Sequence, residues 1–122
     1  MRALGALVLF NPVVDLGALS PPFSDLLRQG TGMTADELAQ YSPMHFVRPD
    51  APSMIVFHGT ADVVVPLDSV RRFRDRMEEV GSRCELVEFA GAEHGFFNAR
   101  PDGNPFYDQT LARTTQFLVD LG

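Results

Sequence analysis

The stretch from Ser53 to Gly91 constrains the fold more than any other. Two apolar runs, "SMIVFHG" (53–59) and "CELVEFAG" (84–91), bracket "LDSVRRFRDRMEEVG" (67–81). In that middle segment Val70, Phe73, Met77 and Val80 recur at helical spacing, and Gly81 supplies the stop. Strand, helix and strand in this order form a βαβ unit, which implies a parallel sheet. An earlier run, "LGALVLF" (4–10), ends at "NP" and has the continuous apolar character of a strand buried on both faces.

Two further segments complete the architecture. Asn104 is placed to cap a helix whose first position is Pro105, where a missing N–H costs nothing. Tyr107, Leu111, Leu118 and Leu121 mark one apolar face of that helix. Residues 16–52 are rich in Pro, Gly and Ser, with short helical candidates at 24–29 and 34–40, and read as an insertion above the sheet, placed like a lid. The expectation is one domain over 1–122, of the α/β class, with a mainly parallel sheet of about three strands flanked by helices.

Composition narrows the partners. The formal net charge is −6 and every basic residue is arginine. The densest group, Arg71, Arg72, Arg74 and Arg76, is interleaved with Asp68, Asp75, Glu78 and Glu79, as on a solvated helix face. No uncompensated basic stripe exists, so nucleic acid is excluded as an expected partner. The apolar "ALGALVLF" is too short to span a bilayer and no small-residue cleavage site follows it, so no membrane association is expected. The lone Cys84 cannot form an internal disulfide, and a reducing cytoplasm is the expected compartment.

The chemistry concentrates in "HGTADVVVP" (58–66) and "GAEHGFF" (91–97). Ligands of parallel α/β sheets bind at the carboxyl ends of strands, and Asp62 and His94 both lie just past such ends. A carboxylate bonded to one imidazole nitrogen fixes the tautomer and leaves the other nitrogen to take a proton from a nucleophile. The alternative is that Asp62 caps a turn and His94 is a loop residue held by backbone groups. His58 reads as structural, since no Cys/His/Asp cluster has zinc spacing, and neither metal nor cofactor is expected. His45 reads as a loop histidine, and Phe96 and Phe97 as core.

Taken together, "FHGTADVVVP", "GAEHGFFN", "YSPMHFV" and "LVLFNPVVD" resemble the C-terminal half of an α/β-hydrolase of the esterase/lipase type, related to the prolyl-oligopeptidase and dienelactone-hydrolase branches. The resemblance implies that Asp62 is the acid of a catalytic triad and His94 its base. It also implies a nucleophile earlier in the chain on a G-x-S-x-G elbow, and an HGGG-type oxyanion loop. Neither motif occurs, and both would precede Met1. Ser20, Ser24, Ser42, Ser53, Ser69 and Ser82 lack the strand-to-helix elbow, and Cys84 opens a strand far from the site.

Two functions are therefore expected. One is a hydrolase fragment or subunit that carries the acid and histidine and acts on a small ester only with a chain supplying the nucleophile half. The other is a binding or structural module derived from a hydrolase. In the full fold the strand at 4–10 is interior; without that neighbour its edge carries no charge, Lys or Pro to discourage pairing. A homodimer through strand 4–10, paired antiparallel across a two-fold axis, is the expected assembly.

Overall fold

A computed structural model describes residues 5–122. Three parallel strands, β1 (Ala6–Phe10), β2 (Ser53–Gly59) and β3 (Cys84–Phe89), form one sheet in the order β1-β2-β3. Leu4, the first residue of the expected strand, lies outside the described residues. Register runs from Ala6 opposite Ser53 to Phe10 opposite Phe57, and from Met54 opposite Cys84 to Gly59 opposite Phe89. The sheet is the expected three-stranded α/β architecture.

Strand alternation divides the core in two. Leu7, Leu9, Met54, Val56, Cys84 and Leu86 face helix α3 (Leu67–Glu79), whose Val70, Phe73 and Met77 fill that side. Val8, Phe10, Ile55, Phe57, Val87 and Phe89 face helix α4 (Pro105–Leu121). Because β2 is buried on both faces, Ile55, Val56 and Phe57 are wholly inaccessible. Each such side chain contributes roughly 1.5–3 kcal/mol of transfer free energy.

Helix α4 starts where the sequence implies: the Asn104 side chain accepts from Phe106 N and Pro105 holds the first position. Its rotation differs from expectation. Tyr107, Leu111, Leu118 and Leu121 are 38–55% exposed, whereas Phe106, Thr110 and Phe117 meet the sheet. Phenylalanine packing decides this. Phe106 stands edge-on to Phe89 and Phe96 at 5.6 and 5.5 Å, and Phe117 enters the Ile55–Phe57 cluster with Arg83 over its ring. Tyr107 and Leu111 are left beside the outer edge of β1.

Between β1 and β2 the chain forms a short 3-10 turn (Leu16–Ala18), helices α1 (Phe23–Thr31) and α2 (Ala35–Gln40), and a second 3-10 turn (Pro43–Phe46). Thr34 and Glu37 cap α2 reciprocally. The excursion returns to its point of departure: Met44 N donates to Val14 O at 3.0 Å, and Leu16 N to Ser42 Oγ at 2.7 Å. Residues 45–52 then run to the start of β2, where Ser82 Oγ donates to the carbonyls of Arg48 and Pro49. Among the described residues no helix is long and apolar enough to cross a membrane.

Candidate functional site

Asp62 follows β2 in a turn that Gly59 makes possible. A Cβ on Gly59 would lie 2.1 Å from the carbonyl oxygen of Ala92, so only hydrogen fits there. This contact brings the loop after β2 against the loop after β3. Thr60 N donates to Phe89 O, Ala61 N to Ala92 O at 2.9 Å, and Gly91 N to Thr60 Oγ1 at 2.8 Å. Two connections from adjacent strands are thereby joined into one surface at the carboxyl end of the sheet.

On that surface Asp62 Oδ2 accepts a hydrogen bond from His94 Nδ1 at 2.9 Å. Oδ1 accepts from the N–H groups of Val64 and Val65 at 2.9 and 2.8 Å. The Asp62 side chain is wholly buried, while that of His94 is 41% exposed. Burial pushes the Asp62 carboxyl up. The N–H of Val65, the His94 ring, the N–H of Val64 and the charge on His94 together outweigh that effect and hold it below the usual carboxylate range. An ionised Asp62 keeps the hydrogen of His94 on Nδ1, so Nε2 is the basic nitrogen.

The loop carrying His94 is anchored by aromatic packing. Phe96 lies 5.0 Å from Phe89 and is core, as its sequence context implies, whereas Phe97, 4.5 Å from Phe10, is half-buried at the edge of that cluster. Gly95, at φ 76, turns the chain between His94 and that anchor. Asn104 Nδ2 donates to the carbonyls of Phe96 and Asn98, tying the loop to the start of α4.

His58 is fully buried on the α3 side of β2. Its Nε2 donates to Val65 O at 2.9 Å and lies 3.4 Å from Asp62 Oδ2, so it braces the turn from beneath. His45 is exposed in the second 3-10 turn. Three of the serines are engaged structurally: Ser69 Oγ donates to Pro66 O, Ser82 Oγ to Arg48 O and Pro49 O, and Ser42 Oγ accepts from Leu16 N. Among the described residues no serine hydroxyl bonds to His94.

Sequence pattern overlooks Asn11, which reads only as half of the "NP" that ends a strand. Its Nδ2 donates to Asp62 Oδ2 at 3.1 Å, and it is 5% exposed with φ 46. The available signal is weak: asparagine directly after a strand is one of the few residues that tolerates left-handed backbone.

Comparison with known proteins places these elements. The prolyl oligopeptidase family matches over residues 20–118. Esterase LipC of Mycobacterium tuberculosis is 39% identical over 56 residues, 45% of this chain and 14% of its own length. Isoprenylcysteine alpha-carbonyl methylesterase ICME of Arabidopsis thaliana is 40% identical over 43 residues, 35% of this chain and 10% of its own. The propionate-bound esterase Est2 of Thermogutta terrifontis superposes with a TM-score of 0.75 at 43% identity, over 97% of this chain and 43% of that one. The chain thus spans less than half the length of each of these relatives. With its parallel sheet, its strand-end loops and these esterase relatives, the chain belongs to the prolyl oligopeptidase family, within the α/β-hydrolase fold.

Proposed function

We propose that this chain supplies the acid and the base of a serine carboxylic-ester hydrolase site, with Asp62 orienting His94 and His94 Nε2 accepting the nucleophile's proton. The observation that carries this reading is the 2.9 Å bond between a buried Asp62 and an exposed His94 at the carboxyl ends of adjacent parallel strands. The esterase relatives support the substrate class, a small ester. The nucleophile and oxyanion donors come from a segment outside this sequence that packs along β1.

The surroundings of β1 fit such a partner. Its outer edge pairs with no strand among the described residues. A cavity of about 450 Å³ lined by Leu7, Leu9, Val14, Phe46, Phe73 and Met77 opens on one face of the edge. A cleft of about 190 Å³ between Val8, Phe10, Phe97, Tyr107 and Leu111 opens on the other. A strand with helices on both sides would pair with the edge and fill both hollows.

The competing reading is a binding or structural module in which the pair is retained without catalysis. The engagement of Ser42, Ser69 and Ser82 in structural bonds favours it for the chain by itself. Joining the chain to the nucleophile-bearing half of a related esterase decides between them. Hydrolysis of p-nitrophenyl acetate by the joined protein, lost on His94→Ala, is expected. A folded assembly that is inactive, or whose activity ignores His94→Ala, overturns the hydrolase reading.

A further inference from the structure

We infer that Asn11 is a positioning residue that clamps the acid and the histidine loop in register with each other. The inference rests on reading Asp62 and His94 as an acid–base pair, and it assigns to β1 a part in that site. Asn11 is the first residue past β1, and its N–H donates to Phe57 O at 2.9 Å, which continues the β1–β2 ladder by one step. Its backbone then enters the left-handed region, at φ 46. Apart from glycine, asparagine is one of the few residues that adopts this conformation at little cost.

The effect of that conformation is to aim the buried side-chain amide at two elements. Nδ2 donates to Asp62 Oδ2 at 3.1 Å, the same oxygen that receives His94 Nδ1. Oδ1 accepts from the N–H of Gly95, the residue after His94, through a long 3.4 Å bond. The orientation of the amide follows from chemistry: reversed, it would set oxygen against carboxylate and NH₂ against N–H. Asn11 therefore ties the acid to the backbone of the base's loop, with one end on each.

Counting donors shows what this adds. Val64 and Val65 hold Oδ1, while Oδ2 has His94 and Asn11 in contact and the His58 ring at 3.4 Å. The two backbone bonds fix Oδ1 alone and leave the carboxylate free to pivot about it. Asn11 restrains Oδ2, so His94 meets its acceptor in one place. Both loops come from β2 and β3, and Asn11 is the contribution of β1.

The test is proton NMR of the chain labelled with ¹⁵N-histidine, because this readout needs no turnover. Wild type is expected to show a far-downfield His94 Nδ1–H resonance, protected from exchange by Asp62. Asn11→Gly removes the amide and keeps a backbone that accepts positive φ. It is expected to stay folded with an unchanged or higher Tm, to lose the downfield resonance to solvent exchange, and to speed exchange of the Gly95 amide by about tenfold. Asn11→Asp, the second variant, keeps an acceptor for Gly95 while placing a second carboxylate against Asp62. It is expected to lose the resonance and retain Gly95 protection. A merely structural Asn11 would lower Tm in these variants and leave the resonance in place, and that result overturns the clamp. Absence of the resonance in wild type overturns the acid–base reading, and the clamp with it.

Discussion

Asp62 and His94 are joined by an Oδ2···Nδ1 bond of 2.9 Å, yet they lie 32 positions apart in sequence, and one side chain is fully buried where the other is 41% exposed. The buried partner sets the tautomer, and the exposed one is open to solvent. In an assembly supplied with a nucleophile, Asp62→Asn is expected to reduce kcat for p-nitrophenyl acetate by about 10⁴, because an amide no longer stabilises the imidazolium or fixes its hydrogen. Steady-state kinetics with KM little changed is the expected result; a loss below tenfold would remove Asp62 from the role of acid.

The same carboxylate links stability to pH. Its folded pKa lies below the ordinary value of about 3.9, so its contribution is fully present above that pH and is lost as the pH falls from there through the folded value. Urea midpoints of wild type and Asp62→Asn should therefore differ more at pH 7 than near pH 3. A gap that is constant across this range would contradict the depressed pKa.

Gly59→Ala is expected to destabilise the fold by about 2–3 kcal/mol, since its methyl group would overlap the backbone of Ala92 and force the two loops apart. Gly30 is the control. It lies within α1, and a methyl group added there would meet nothing within 4 Å, so Gly30→Ala should raise stability by about 0.5–1 kcal/mol. Chemical denaturation of the two variants in parallel checks both signs.

Cys84 should be inert. Burial at the start of β3, reinforced by Glu78 and opposed by Arg74, pushes its thiol up to about 11. Thiolate is the reactive form, so labelling by a disulfide reagent at pH 8 should proceed only as fast as the chain unfolds. Rapid stoichiometric labelling of the native protein would refute this.

In the chain by itself, the edge of β1 should recruit a second copy. Sedimentation equilibrium of the chain alone at micromolar concentration is expected to give a dimer, and Val8→Lys a monomer, because a buried ammonium at the pairing edge is costly. A monomeric wild type would show that the edge is covered in another way.

Much of this is legible in the sequence where local and long-range demands agree. The run at 53–59 is β2 to the residue, because a strand buried on both faces admits little but apolar side chains. Asn104 and Pro105 mark the start of α4 because capping is local chemistry. The rotation of α4 is not legible: Tyr107 and Leu111 carry the helical apolar signal, but the ring geometry of Phe89, Phe96 and Phe106 orients the helix, and only the folded chain assembles those rings. At the site, strand-end logic finds Asp62 and His94. Asn11 escapes it because its role depends on a left-handed backbone and on partners 51 and 84 positions away.

The bond from Met44 N to Val14 O bears on how much length the path from β1 to β2 tolerates. Everything between these two residues forms a closed circuit, and the path from β1 to β2 is completed by the short descent after it. The alignment of β1 on β2 is thus indifferent to how much polypeptide the circuit contains. Doubling such a circuit costs only about 0.6 kcal/mol in closure entropy. One bond limits that freedom: Ser20 N, inside the circuit, donates to Val64 O, and Val64 N donates to Asp62 Oδ1, so a resized circuit leaves the carboxylate unmoved only where that link is kept.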